Sequence, residues 1–410
     1  MVSDPASKGR RKFLTGSATI LGASLGTSFT PFASFTNSSL YAGQKKAGLN
    51  IGYLPITDAA PLLIAHALGF FKDQGIVVPR PVMVRSWNVL TESFLAGKFD
   101  LTHMLFPIPV WMRFKHRMPV KVLAWDHTNG SAVTVRGDSD IRGFADLGKK
   151  TIAVPSWYST HNLILQLGIR AKGLKPVIKP THAGLKSDEV NLLILQPSEM
   201  PPALLGKKVD GFIVAEPFNA LAELKFKARI MRFTGDIWKN HPCCVLVSHE
   251  RVVKENPVIV QKAVNAVVMA QSWCEAHREK AAVILGSDGQ GYLPVKSNVL
   301  KRVFTGYDFK EYLSGPLPRP VMHPLWNTTR IGFQPYPFPS STEYILRQMA
   351  KTTVQGDNSF FHNLDPAAAA ADLVDDSFVL KALDETGTFD SFYSSKIEKP
   401  LSREEIIEIN

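Results

Sequence analysis

The chain has 410 residues, 45% hydrophobic and 20% charged, with a formal net charge of +11, enough apolar material for one large core or two medium ones. Its Lys and Arg are dispersed and never concentrated among aromatics, which argues against nucleic acid as a partner and for small anions or acidic headgroups. Three cysteines, Cys243, Cys244 and Cys274, cannot build a disulfide framework, being odd in number with two of them adjacent.

In chain order, the first feature is an export signal. Ser7-Lys8-Gly9-Arg10-Arg11-Lys12-Phe13-Leu14 precedes an apolar, small-residue run over residues 15–25. Adjacent arginines, Phe-Leu and a weakly hydrophobic segment fit a twin-arginine signal over residues 1–42, which sends a folded protein through the twin-arginine translocase to the periplasm. Phe32-Ala33-Ser34 and Leu40-Tyr41-Ala42 match the small-x-small cleavage pattern only in part, and no cysteine lies nearby to carry a lipid anchor. Beyond Gly43 no stretch offers about 20 uninterrupted apolar residues, so no further membrane span is expected.

Strand-like and helix-like segments then alternate, which is α/β grammar. Residues 49–54 read as a strand; residues 58–68 read as a helix opened by Thr57 or Asp58 as N-cap. A helix over 87–95 and a strand over 100–105 follow, with Pro107 and Pro109 marking a turn. A second series has strands at 151–154, 191–195 and 211–215 and helices at 160–172 and about 200–205. The series echo each other: Phe94-Leu95-Ala96-Gly97-Lys98-Phe99-Asp100 and Leu204-Leu205-Gly206-Lys207-Lys208-Val209-Asp210 each end a helix with Gly and Lys and use an aspartate to lead into a buried strand. From Asn256 the pattern is mostly helical, over 258–274, 279–285 and 341–351. The Pro- and Gly-rich stretch 315–339 reads as wrapping a surface, because its prolines fit neither helix interiors nor central strands. The tail after Asp390 is polar and reads as loose.

Motifs for common chemistry are missing. There is no CxxC pair, HExxH, GxSxG, Walker phosphate loop or GxGxxG after a strand. Enzyme readings therefore start low, and neither a cofactor nor a metal is expected. What the chain does carry, in one order, is Leu54-Pro55-Ile56-Thr57-Asp58-Ala59-Ala60-Pro61, Gly69-Phe70-Phe71, Ser86-Trp87, Thr160-His161-Asn162, Gly211-Phe212-Ile213-Val214-Ala215-Glu216-Pro217-Phe218-Asn219 and Ile237-Trp238-Lys239-Asn240-His241-Pro242. Together these resemble the solute-binding proteins of nitrate, bicarbonate and sulfonate ABC importers, most closely the nitrate/bicarbonate branch. The resemblance covers about residues 49–383. It implies an α/β, two-lobed periplasmic binding protein of type II with a ligand cleft between the lobes and a helical, Pro-rich C-terminal extension. It also implies a small anionic ligand, an ABC permease with its ATPase as partners, and no catalysis. On this reading residues 49–135 begin lobe 1, 136–245 form lobe 2, 246–390 complete lobe 1 and add C-terminal helices, and 391–410 are a polar tail. Hinges are expected near 136–139 and 234–245.

Residues for the ligand follow from both readings. Thr160 and His161 open a helix after a strand, where backbone N–H groups and the positive dipole end suit an anion; the resemblance makes His161 a ligand histidine, against the plainer reading of a helix cap. Trp87 can offer its indole N–H to an oxyanion, as the resemblance implies, or serve as packing. Glu216 ends a buried strand at the cleft; a carboxylate repels an anion, so it reads as a hinge partner, a support for a cation, or a cation ligand. Asp58 reads most simply as an N-cap, with a ligand role as the alternative. Trp125, His127, Asn129, Gly130 and Ser131 lie near the first crossover and within reach of the cleft.

Two departures bear on the ligand. Nitrate and bicarbonate binders usually have glutamine where Ser131 stands, and an acidic residue followed by lysine or glutamine where Cys243 and Cys244 stand. Losing a charged bidentate contact costs a compact anion ~2 kcal/mol or more in a desolvated site, so a sulfonate or another organic anion competes with nitrate. The cysteines read mainly as small buried hydrophobes at the start of a core strand, with soft-metal or thiol binding as the alternative; Cys274 reads as packing. Rival functions are a thiamine-pyrimidine-synthase-like enzyme of the same superfamily, partly suggested by His241-Pro242-Cys243-Cys244, and a periplasmic ligand sensor.

Overall fold

Short segments buried on both faces, such as Gly211–Ala215 and Leu101–Leu105, are interior strands, and they assemble into two separate sheets. The structure is a computed structural model that describes residues 48–180, 183–315, 317–393 and 401–409; the signal read at 1–42 lies outside these. In chain order β1 (Ile51–Tyr53), β2 (Val82–Met83), β3 (Leu101–Leu105) and β4 (Val120–Trp125) begin the first sheet, and the two-residue β5 (Thr128–Asn129) follows. Strands β6 (Ser131–Arg136), β7 (Thr151–Val154), β8 (Lys175–Val177), β9 (Glu189–Ile194), β10 (Gly211–Ala215) and β11 (Ala228–Phe233) make the second. The chain then returns through β12 (Cys244–His249) to the first sheet, and β13 (Ile331–Gly332) pairs with β5.

Strand order is β2-β1-β3-β12-β4 in the first sheet and β11-β6-β10-β7-β9-β8 in the second. Each sheet is parallel at one end, where helical crossovers join the strands, and antiparallel around the strand that comes from or leads to the other sheet. The crossings lie at 126–130 and 234–243. The first is upstream of the 136–139 expected from the chain pattern, because β6 is already committed to β10 and β11 in the second sheet.

The sequence echo between the two series has a physical counterpart. Asp100 accepts the Asn50 amide at 2.9 Å while its own N–H reaches the Asn50 carbonyl at 2.8 Å. Asp210 does the same to Thr151, at 2.8 and 2.9 Å. Each aspartate thus clamps the start of the neighbouring parallel strand, and each follows a residue in the left-handed region, Gly97 at φ 73° and Lys207 at φ 56°.

Segment 315–339 does more than wrap a surface. Phe333, Tyr336 and Phe338 are buried, the Trp125 amide donates to the Pro335 carbonyl at 2.8 Å, and the Gly130 amide to the Arg330 carbonyl at 2.8 Å. The segment therefore straps the first crossing. Arg330, fully buried, donates from Nε and Nη2 to Glu216 Oε1 at 2.9 and 2.5 Å, from Nη2 to Glu223 at 3.0 Å and from Nη1 to the Tyr312 hydroxyl at 3.0 Å. Residues 401–409, read as part of a loose tail, are anchored instead: Leu401 is buried, Glu405 accepts the Trp238 indole N–H at 2.7 Å, and the Lys239 and Glu408 amides bond the Ile406 and Ile237 carbonyls. Glu405 and Arg403 reach Trp238 and Asn240, 167 and 163 residues away, which no local pattern encodes.

Two stability predictions follow from these contacts. Arg330→Met leaves the buried Glu216 carboxylate without its cation, while Glu223 keeps Arg302, and is expected to cost about 3–5 kcal/mol in urea unfolding; a loss under about 1 kcal/mol would show that the network is not holding the strap. Asp210→Ala strands the Thr151 amide and is expected to cost about 1–3 kcal/mol, with Asp100→Ala matching it; unequal losses would break the equivalence of the two clamps.

Candidate functional site

The carboxyl ends of strands from both sheets meet at the crossings, and there the chain buries an unusual set of polar side chains. Thr57 donates its amide and its hydroxyl to the Glu216 carbonyl at 2.9 and 3.1 Å. This fixes the short 3-10 turn Thr57–Ala59 after β1 and turns the Asp58 side chain inward. Asp58 Oδ2 meets His127 Nε2 at 2.8 Å, the Cys244 thiol at 3.1 Å and the Cys243 thiol at 3.4 Å. The N-cap reading of Asp58 is thereby corrected: the helix Ala60–Ala67 opens at Ala59 with no side-chain cap, because the carboxylate is engaged elsewhere.

His127 lies just after β4, in a turn that needs Gly130. That residue is left-handed at φ +72°, and a Cβ there would come within 3.0 Å of His127 Nδ1. His127 Nε2 also faces the Cys244 amide at 3.3 Å. Cys243 and Cys244 start β12, so the plainer reading of both as apolar packing is corrected as well: they are fully buried, but hydrogen-bonded to a carboxylate.

The second sheet contributes a facing group. Ser131, at the start of β6, is held by Thr234, whose hydroxyl donates to the Ser131 carbonyl at 3.0 Å. Its own hydroxyl lies 2.9 Å from His161 Nε2, and the Cys243 sulfur is 3.8 Å from both. His161 sits in the first turn of the helix Thr160–Ala171, capped by Ser159, which accepts the Asn162 amide at 3.0 Å. Trp87 opens the helix Trp87–Leu95 in the same way, under a Ser86 cap that accepts the Val89 amide at 3.1 Å. Its ring tilts against His103 with centroids 5.6 Å apart, and His103 Nε2 accepts the Leu54 amide at 3.0 Å.

Several atoms of this group meet no partner although they are buried: Trp87 Nε1, Thr160 Oγ1, His161 Nδ1, His103 Nδ1, Asp58 Oδ1, His127 Nδ1 and both oxygens of Asp126. An unmet buried polar group costs about 1–3 kcal/mol. Their gathering at one junction marks the place as built to receive something.

Charge is distributed unevenly across the site. Burial drives the Asp58 carboxyl up to about 6, with His127 opposing. Burial works against a charged His127, but the Asp58 carboxylate outweighs it and holds the imidazolium up to about 10. Burial keeps His103 and His241 neutral, at about 3 and about 4, and pushes Asp126 well above the usual carboxylate range. Burial also disfavours a thiolate on either sulfur. At Cys243 the Cys244 thiol and the imidazoles of His161 and His127 overcome it and lower that thiol well below its ordinary range, whereas burial, Cys243 and Asp58 raise Cys244.

Of the residues singled out in the sequence, Asp58, Ser131, His161 and Cys243 converge within hydrogen-bond or van der Waals reach of one another; Thr160 adjoins them and Trp87 joins through His103. Glu216 does not converge on them. Both of its carboxylate oxygens are spent, Oε1 on Arg330 and Oε2 on the Ala220 amide at 3.0 Å, so a direct ligand contact is replaced by support of a cation. Sequence reasoning passed over His103 and Asp126. A histidine at the centre of the buried run Leu101–Leu105 was the available signal, since an apolar strand has no other reason to bury an imidazole.

Comparison with known proteins bears on the fold and lineage. A nitrate/nitrite binding protein, NrtA, of Nostoc sp. is 26% identical over 279 residues, 63% of this chain and 61% of the relative. A bicarbonate transport ATP-binding protein, CmpC, of Synechocystis sp. is 25% identical over 57% of this chain and 36% of its own length. The chain thus spans about three-fifths, or less, of these relatives. Among solved structures, the periplasmic nitrate-binding protein NrtA from Synechocystis superposes with a TM-score of 0.69 at 20% identity, covering 85% of this chain and 91% of that one. The alkanesulfonate-binding protein SsuA from Xanthomonas axonopodis gives a TM-score of 0.58 at 16% identity, covering 82% and 100%. The fold is the two-lobed type II periplasmic binding protein fold. A family model for the NMT1-like family matches residues 42–286, more than half of the sequence, and the chain belongs to that family.

Proposed function

We propose that this protein captures a small anion in the periplasm and delivers it to an ABC permease, without bond-making chemistry. The observation that carries the reading is the set of unmet buried donors, the Trp87 indole N–H, the Thr160 hydroxyl and His161 Nδ1, at two helix starts capped alike by Ser86 and Ser159. Helix N-termini with spare N–H and O–H donors favour negative charge. Relatives named for nitrate, nitrite and bicarbonate transport, one of them ATP-binding, support an importer with an ATPase. The twin-arginine signal read at 1–42 supplies the route to the periplasm. Cysteines at the positions where nitrate binders carry an acidic residue and a lysine or glutamine favour an anion other than nitrate, with sulfonates the leading class.

A thermal-shift series with nitrate, nitrite, bicarbonate and short alkanesulfonates tests this. A bound ligand at about 100 times its Kd adds about 2.7 kcal/mol, a visible rise in midpoint; His161→Ala and Trp87→Ala are expected to abolish it while leaving the ligand-free protein folded. A full response in both variants would overturn the assignment. Thr160→Val makes a sharper demand. Because that hydroxyl bonds nothing in the protein, the swap is expected to change ligand-free stability by less than about 0.5 kcal/mol yet weaken the response; a large destabilisation without ligand would mean the hydroxyl is structural.

A further inference from the structure

We propose that Asp58, His127, Cys243 and Cys244 form a binding site for one zinc-class divalent cation. Each residue offers a ligand atom, the four atoms lie within 4.8 Å of one another, and all four residues are fully buried. A tetrahedral site with metal–ligand bonds of about 2.0–2.3 Å needs ligand-to-ligand edges of about 3.3–3.8 Å. The edges from Asp58 Oδ2, at 2.8, 3.1 and 3.4 Å, sit at or just below that range. A cation therefore fits once the protons now bridging these atoms leave and the contacts lengthen slightly.

Electrostatics point the same way. Buried charge is normally paired or metal-bound. Here one imidazole faces the Asp58 carboxylate and two cysteine sulfurs. Two sulfurs, an imidazole and one carboxylate oxygen form a soft to borderline set that selects zinc-like ions over Ca²⁺ or Mg²⁺, which want six or more oxygens. On binding, the thiol protons and the proton between His127 and Asp58 pass to solvent. All four ligands come from the ends of β1, β4 and β12, strands of the first sheet. The site is thus complete within one lobe and faces His161 and Ser131 of the other. It stands independently of any anion.

The test uses the full chain, reduced and stripped with chelator in anion-free buffer apart from chloride, and titrated with Co²⁺ and then Zn²⁺. Expected is one Co²⁺ per chain with a near-ultraviolet thiolate-to-cobalt band, displaced stoichiometrically by Zn²⁺. Cys243→Ser and Cys244→Ser should each weaken binding by more than about 100-fold, and Cys274→Ser should leave it intact. Absence of the band in folded wild type whose Cys243 and Cys244 thiols are shown reduced by thiol titration overturns the site; so does a band that survives the double replacement of Cys243 and Cys244. Should the cysteine variants fail to fold, X-ray absorption of zinc-loaded wild type decides. Two sulfurs at about 2.3 Å and two lighter ligands near 2.0–2.1 Å are required, and a shell of nitrogen and oxygen alone refutes the proposal. Because no transported solute enters the measurement, a negative result here leaves the anion reading standing, and the reverse holds too.

Discussion

The two crossings between the sheets are hydrogen-bonded to each other, and the rest of the molecule is arranged about that contact. The Asn129 amide reaches the His241 carbonyl at 2.9 Å, Thr128 bridges Pro242, and the Asp126 amide reaches the Cys244 carbonyl at 3.0 Å. The Glu216 amide, at the end of β10, closes on the Gly130 carbonyl at 2.9 Å. Backbone groups at a sheet junction must be satisfied somewhere. Because they satisfy one another here, the side chains between them are free to face inward as a polar site.

That economy creates an electrostatic tension. Donors suited to an anion, at Trp87, Thr160 and His161, share the junction with Asp58, whose carboxylate would repel one, and with Asp126, which burial holds toward its neutral form. The imidazolium of His127 faces the Asp58 carboxylate and offsets it. A dication held by Asp58, His127 and the cysteine pair would displace the protons of those groups, so it would leave the cluster no more positive than before and would not stand in for the lysine that nitrate binders carry. The two proposals are therefore separable by experiment and rest on different atoms of the junction.

Much of the architecture was legible in the chain. Gly211–Ala215 and Thr151–Val154 form strands over the residues their patterns marked, and the Gly-Lys-aspartate echo pointed to two similar lobes, because that information is local; the aspartate clamps, which join residues 50 and 59 apart, were not legible. Asp58 was not legible. A carboxylate at a strand-to-helix turn looks like a cap, and only partners 69 and 185 residues away, His127 and Cys243, divert it. His103, the first crossing at 126–130 and the burial of Arg330, Phe333, Tyr336 and Phe338 were hidden for the same reason: each depends on which distant strand lies alongside. Cys243 and Cys244 read as apolar packing because burial was visible in their surroundings and the carboxylate beneath them was not.

The segment 401–409 carries a mechanical implication. It adds backbone bonds to Ile237 and Lys239 and accepts the Trp238 indole N–H on Glu405, so the second crossing is splinted by chain from the far end of the sequence. Any rocking of one lobe on the other about 234–243 must either carry this splint as a passenger or shear it. The compliance of the joint, and with it how readily the clamshell gapes, is accordingly set in part by residues remote in sequence from both crossings, one of which, Arg403, also lays its guanidinium over the Trp125 ring at the end of β4, 4.9 Å from its centroid.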